Sequence, residues 1–476
     1  MRNRLPLALL GLAGSLLIAL VGPRLTDGSG VSWWYLVRLG SGRRASELVF
    51  YAGMVMLCAA WLALGRGVGE LSPRQLWAIG ALWCLPLLAG PALFSRDAYS
   101  YLAQGTIAHL GLSPYHDPPL VLGHLGHGQL LNAVGSFWRK TTAPYGPLFL
   151  ALVRSIVSVT GSSLIAGVML IRLLDLAGIV LLALFVPRLA RALGADPARA
   201  TWIAVLNPLV LLELIAAAHN DALLVGLMVA GVTLALERRP ILGIALCAVA
   251  ATIKVPAILA VAFIAVAWAR TAPAAREQLP KLLAAGASAA AIIVAITIVS
   301  GLGFGWISTS VFSTPAKVQL AITPATAFGW TIAHGLRAVD IVIGRRAFER
   351  TLGEIAFVVS ALAALWLLWR TRFANLVRYL ALILLAFALA GPATWPWYLT
   401  WGLVLLAALP AAQSFRALAP AIAAAVFAVK PNGILALPLG SSPLVVVVYL
   451  LSAAAGWYLW RQQRDSRDVS GALAVG

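Results

Sequence analysis

Long apolar runs separated by short gaps rich in arginine and proline recur from residue 4 to residue 461. Many are long enough to cross a hydrocarbon core of about 30 Å, so the pattern predicts membrane-spanning helices. The runs fall at 4–22, 46–65, 76–93, 163–187, 199–215, 219–236, 240–254, 255–270, 281–300, 353–370, 376–390, 396–412, 416–430 and 441–461. That makes about 13 to 14 spans, the shorter of which need shielding by neighbours or local thinning of the bilayer. The expected fold class is all-α, a polytopic transmembrane bundle, and 1–476 reads as a single integral membrane domain because no polar stretch is long enough for a separate soluble one. The first run resembles a secretion signal, but "GPRLT" offers no small-residue cleavage site, so a retained helix is expected.

Composition sharpens this picture. Hydrophobic residues make up 61% of the chain and charged residues 11%, against about a quarter charged in a soluble domain. The net charge of +19 would suggest nucleic acid in a soluble protein. Here the arginines sit in short gaps between apolar runs, which is topology and not nucleic-acid binding. The basic gaps at 187–200, 236–240, 268–281, 369–378 and 460–467 are expected to be cytoplasmic, with both termini on that side of the plasma membrane. To keep 187–200 inside, 145–161 must be an amphipathic or half-inserted helix. The orientation leaves Arg24, Arg38, Arg43 and Arg44 outside with only Asp27 against them, so either they bind an anion or the first hairpin is misread. Cys58, Cys84 and Cys247 lie inside apolar runs without paired spacing and read as small core residues.

Two long segments, 94–144 and 301–352, and the turn 391–398 then face outward. The first holds four of the six histidines and stiff "HDPP" and "TAPYGP" turns, and is too aromatic to be disordered. It opens on "FSRDAYSYLAQG", where Asp97 stands at the end of a span with Tyr101 and Gln104 four and seven residues on, along one helix side. Asp97 is either a helix cap paired with Arg96 or a carboxylate held to take a proton from a sugar hydroxyl. In "AAAHNDALLVG", His219, Asn220 and Asp221 cannot all face lipid; they cap a helix or contact a sugar or phosphate. Lys254 is a lone cation between apolar runs, followed by helix-breaking Pro256; it snorkels or meets an anion such as phosphate. Trp395, Trp397, Tyr398 and Trp401 form an interfacial belt or a stacking surface for a sugar or an isoprenoid tail. Arg172 and Asp175, three apart in a span, suggest an internal ion pair. Arg96, Tyr99, Tyr115, His116 and Tyr145 complete the candidate substrate contacts. There is no phosphate-binding glycine loop, metal-ligand spacing or DxD pair, so no metal or other cofactor is expected.

In order along the chain, "SRDAYSYLAQG", "YGPLFLALVR", "AAAHNDALLVGLMVAG", "IKVPAIL" and "WPWYLTW" resemble the polyprenol-phosphate-mannose-dependent α-1,6-mannosyltransferases of actinobacterial lipomannan and lipoglycan assembly, within the class C multi-span glycosyltransferases. The match runs from about residue 76 onward. The resemblance implies a GT-C fold with short interfacial helices in its outer loops, and 94–144 as the catalytic loop. It also implies a polyprenyl-phosphate mannose donor, a mannan acceptor, inversion at the anomeric carbon, and an active site on the extracytoplasmic face. Asp97 would be the general base, with His219, Asn220 and Asp221 across the cavity and Lys254 at the donor phosphate. Such loops often carry two acids; this one has Arg96 before Asp97 and its next carboxylate at Asp117. A related transferase using another lipid-linked sugar, such as arabinofuranose, and a lipid-linked-sugar transporter without chemistry are the alternatives.

Overall fold

The computed structural model describes residues 4–26, 31, 42–310, 323–391, 394–415, 417–436 and 439–450. Arg38, Asp27, the end of the expected 441–461 span and the basic segment 460–467 lie outside the described residues. Those described are helical, joined by short turns, with no β-strand among them. They divide into two compact units: Met1–Val318, Ala363–Ala388 and Trp395–Ala436 in one, Gln319–Leu362, Leu389–Thr394 and Leu437–Gly476 in the other.

Helices α1 (Leu5–Leu25), α2 (Arg43–Gly65), α3 (Pro73–Ala89), α4 (Asp97–His109), α5 (Gly128–Ala133), α6 (Pro147–Thr160) and α7 (Leu164–Ala192) begin the first unit. After α8 (Pro197–Ala204) come a π-helical turn, Val210–Ala216, and α9 (Asp221–Leu236), α10 (Pro240–Ala251), α11 (Ile258–Ala269) and α12 (Ala275–Ser300). Among the described residues, five helices are long and apolar enough to span a membrane: α1, α2, α7, α12 and Arg345–Arg370. The bent pair Val210–Ala216 and Asp221–Leu236 makes a sixth if counted as one broken span. Pro147–Thr160, Pro240–Ala251, Val255–Ala269, Leu376–Ala390, Pro396–Leu406 and Leu418–Ala428 are shorter apolar helices.

Helix pairs close on small residues, as where helices associate without a solvent-driven hydrophobic force. A Cβ on Gly178 of α7 would lie 2.2 Å from the Ala222 carbonyl oxygen of α9, and one on Gly231 of α9 would lie 2.6 Å from the Gly243 oxygen of α10. Cys58, Cys84 and Cys247 are buried thiols, as expected.

One sequence reading of the spans is corrected. The run 199–215 is not one helix: Asn207 ends α8 by donating from Nδ2 to the Ile203 oxygen at 2.6 Å and accepting from the Val210 N–H at 2.9 Å. Pro208 follows it and disfavours helical backbone there. The next turn and α9 then meet at a 116° bend. The segment 301–352 is helical over much of its described length, in Pro324–Arg337 and the first residues of Arg345–Arg370. A Thr323/Thr326 capping box starts the former, and an Arg345–Glu349 ion pair of 2.8 Å stiffens the first turns of the latter. The loop 94–144 carries α4, α5 and two 3₁₀ turns, and 145–161 forms the discrete helix α6.

Candidate active site

Two turns of backbone bring the site together. Phe94, three residues before Asp97, and Ala218, next to His219, both hold φ near +60°, a left-handed conformation that costs a residue with a Cβ about 1–3 kcal/mol. Leu93 N–H donates to the Ala216 oxygen at 3.2 Å, and Phe94 N–H to the Pro431 oxygen at 2.8 Å. The guanidinium of Arg172, fully buried on α7, locks both turns. It donates to Leu88, Gly90 and Pro91 oxygens on one side and to Ile215 and Ala216 oxygens on the other. This corrects the expected Arg172–Asp175 ion pair: the donors go to carbonyl groups left open where α3 and the π-helical turn end. Neither Asp175 carboxylate oxygen has a hydrogen-bond partner among the described residues.

Asp97 opens α4, whose N-cap residue is Arg96, and no side-chain cap bond closes that end. The carboxylate is 13% exposed, with Oδ2 3.7 Å from His219 Nε2. Burial pushes its carboxyl above the usual aspartate range; His219, Lys254 and the Ser95 hydroxyl oppose that rise and Asp221 adds to it. Beside it a small cleft is lined by Thr26, Ala92, Ser95, Arg96, Tyr99, Pro431 and Asn432.

His219 is fully buried and its ring stacks on Trp397 at 3.9 Å between centroids. Asn220 is the N-cap residue of α9, without a side-chain cap bond, and both its amide atoms are buried without a partner among the described residues. Asp221, fully buried, accepts from Lys254 Nζ at 2.9 Å on each oxygen and from Trp401 Nε1 at 2.6 Å. The ammonium also lies 4.5 Å above the Tyr398 ring and 5.3 Å from that of Trp401. Lys254 therefore does not snorkel. It sits in an extended break after α10, and residues 252–253 dock on the start of α6 through Gly146 N–H to Ile253 oxygen, 2.9 Å. A Cβ on Gly146 would fall 2.1 Å from the Thr252 oxygen, so this seam admits only glycine there.

Tyr101, one turn along α4 from Asp97, meets the edges of the Tyr145 and Phe149 rings. Both tyrosines lie in the field of Asp97 and Asp221. Gln104 is fully buried, and its amide atoms have no partner among the described residues. Tyr99 lines the cleft with Arg96. The structure thus assembles Asp97, His219, Asp221, Lys254, Trp397 and Tyr398 in one cluster. Tyr115 instead packs beside Gly305, and His116 sits exposed in a turn whose N–H reaches the Ser113 oxygen.

Sequence reasoning passed over three contributors. Trp401 was visible in the aromatic turn but nothing marked it as the donor to Asp221. Arg172 was marked by its charge inside a span, but not for carbonyl groups. Glu213, fully buried in the π-helical turn, supplies the backbone oxygen that holds His219 Nδ1 at 2.5 Å. Its signal was a carboxylate in the middle of an apolar run.

A family model described as α-(1→6)-mannopyranosyltransferase, N-terminal domain, matches residues 8–270, and one described as the MptB C-terminal domain matches 319–461. The α-(1→6)-mannopyranosyltransferase A of Mycobacterium tuberculosis is 35% identical over 490 residues, spanning 98% of this chain and 92% of its own. The α-(1→6)-mannopyranosyltransferase A of Corynebacterium glutamicum is 33% identical over 299 residues, 56% of this chain and 59% of its own. The corresponding transferase B of that organism is 26% identical over 435 residues, 84% and 71% of the two chains. No solved structure matches. With a family model covering more than half of its length and a full-length relative above 30% identity, the chain belongs to the α-(1→6)-mannopyranosyltransferase family of multi-pass membrane glycosyltransferases.

Proposed function

We propose that the protein moves mannose from polyprenyl-phosphate mannose to a growing α-1,6-mannan of lipomannan or lipoglycan, with inversion, at the extracytoplasmic face of the plasma membrane. Asp97 is the general base. The observation that carries this reading is its carboxylate: partly open, next to a small cleft that Ser95 and Arg96 line, and within the field of Lys254 and His219.

Direct displacement needs a base on the acceptor hydroxyl and positive charge where the leaving phosphate gains its second negative charge. Asp97 removes the proton, the acceptor oxygen bonds to the anomeric carbon, and the bond from that carbon to the phosphate oxygen breaks. Lys254 is a cation whose charge acts on the Asp97 carboxylate, and Arg96 is the residue before it in the chain. In the resting site Asp221 neutralises Lys254, so the departing phosphate competes for an ammonium already in place and no loose charge waits in the bundle. Trp397 and Tyr398 form an aromatic wall for the donor, and the buried amides of Gln104 and Asn220 offer hydrogen bonds to its hydroxyls.

The orientation has its own support. Thr26, Ser95 and Arg96 meet at one end of the first unit, while Arg4 pairs with Glu70 at the other, where 68–70 packs on α8 and its basic approach. Basic loops favour the cytoplasmic side, and this supports an outward-facing Asp97.

The test is transfer from radiolabelled polyprenyl-phosphate mannose to an α-1,6-linked mannooligosaccharide by purified protein in detergent. Asp97→Asn should lower the rate by about 10²–10⁴-fold while the protein stays folded. Undiminished turnover by that variant would remove Asp97 as the base, and transfer only from an arabinofuranose donor would overturn the mannose assignment.

A further inference from the structure

One buried group in the cluster has no part in the chemistry above. The His219 Nδ1 faces the Glu213 carbonyl oxygen at 2.5 Å. A carbonyl only accepts, so Nδ1 carries the hydrogen and the neutral ring turns an unprotonated Nε2 toward Asp97. That nitrogen is buried and has no hydrogen-bond partner among the described residues, and Asp97 Oδ2 is 3.7 Å away. At this distance they share no direct hydrogen bond, yet two acceptors facing each other in a buried site favour a proton between them. The stack on Trp397 fixes the ring plane, so Nε2 has no other direction to point. The other ionisable groups around the pair are Asp221 and Lys254, themselves bonded to each other, with the phenols of Tyr101, Tyr145 and Tyr398 in the field of Asp97.

We propose that Asp97 and His219 form a single proton-accepting pair, in which His219 Nε2 takes the proton that Asp97 removes from the acceptor sugar. This rests on Asp97 being the base. The acceptor O–H bond breaks with its proton going to Asp97, the new oxygen–carbon bond forms, and the carbon–phosphate-oxygen bond breaks with its electron pair leaving on the polyprenyl phosphate. The proton then passes from Asp97 to Nε2. Asp97 is again a carboxylate, now facing an imidazolium, and the proton leaves to water through the partly open Asp97 edge after product release. Glu213 contributes by its backbone, which selects the tautomer that makes Nε2 the acceptor.

The pair has a pH signature. A first proton can bind at either site, so the first macroscopic pKa of the pair lies above that of Asp97 alone beside a neutral neighbour. Replacing His219 with a group that cannot take a proton removes one of the two sites and moves the acid limb of kcat to lower pH. His219→Gln places an amide near Nε2; His219→Asn keeps a donor for the Glu213 oxygen and serves if the glutamine variant does not fold. The experiment measures kcat and the donor KM of wild type, both His219 variants and Asp97→Asn between about pH 5 and pH 8, with thermal unfolding of each. The expected result for the His219 variants is a loss in kcat on the order of 10²-fold, an unchanged donor KM, and the acid limb displaced downward. Wild-type kcat with the wild-type limb overturns the pair, as does a loss confined to KM with the limb in place. An active Asp97→Asn variant in the same series would instead refute the base assignment itself.

Discussion

Lys254 Nζ lies 2.9 Å from both carboxylate oxygens of Asp221, closing a bidentate pair between the start of α9 and the break after α10. Asp221 is fully buried, so removing its partner strands a charge. Lys254→Met should destabilise the folded protein by about 3–5 kcal/mol, the usual loss when one member of a buried pair is deleted. The double variant Lys254→Met, Asp221→Asn should recover much of that loss but none of the transfer activity. Thermal unfolding in detergent gives the first quantity and a radiolabelled transfer assay the second; a double variant no more stable than the single one would show that the pair is not an energetic unit.

Arg172 ties the strained turn before Asp97 to the one before His219. Arg172→Lys keeps the charge but offers three donors where the guanidinium serves five carbonyl oxygens. It should fold, with the two turns released from each other. A displacement of about 1 Å between Asp97 and the facing groups costs on the order of 10²-fold, so kcat should fall by about that factor. Arg172→Met leaves the carbonyl groups without donors and should also lower yield and melting temperature. Wild-type kcat in the lysine variant would mean the turns hold their register without the guanidinium.

What the chain disclosed before its structure was the set of residues whose presence is costly in an apolar context. Asp97, the His219–Asp221 triplet, Lys254 and the aromatic turn at 395–401 stand out because lipid-facing helices exclude such groups, and the structure gathers members of all four. The pairing was not legible. Lys254 reads as a lone cation because its partner is thirty-three residues away, brought near only by the close α9–α10 seam at Gly231 and Gly243. Arg172 was misread for a related reason. Its true acceptors are carbonyl groups freed where helices break, and the break at Asn207 hides inside a run whose hydropathy is continuous. Hydropathy shows where polar groups are expensive; it does not show where backbone runs out of partners.

Asp97 also sets a pH dependence of stability. Burial raises its carboxyl above the ordinary value of about 3.9, so folding favours the protonated form. The stability this group contributes is complete below the unfolded value and is lost as pH rises through the raised one. Asp97→Asn stays neutral throughout. At neutral pH the variant should therefore melt no lower than wild type, with the gap closing as the medium is acidified. Thermal unfolding followed by tryptophan fluorescence over that range checks this, and an asparagine variant that melts clearly lower at neutral pH would show that the cations around Asp97 outweigh its burial.

The orientation is open to a chemical test, because Cys58, Cys84 and Cys247 are all buried and give little background. His124 is exposed in the loop between α4 and α5. His124→Cys should react with a membrane-impermeant maleimide on intact cells. Labelling only after the membrane is opened would place the loop, and Asp97 with it, on the cytoplasmic side.

The last prediction concerns the seam that places Asp221. A methyl group on Gly178 would stand 2.2 Å from the Ala222 oxygen, one residue along α9 from Asp221, so α7 and α9 must separate to admit it. Overpacking of this kind costs about 1–3 kcal/mol, and the shift falls on the first turn of α9, where Asp221 meets Lys254. Gly178→Ala should therefore lower both melting temperature and kcat. Gly286, on the exposed side of α12, has nothing within 4 Å of its position for a Cβ. There the same change relieves a helix of glycine and should be neutral or stabilising by up to about 1 kcal/mol. Equal effects at the two positions would mean that helix propensity, and not the close approach of α7 to α9, governs the response at Gly178.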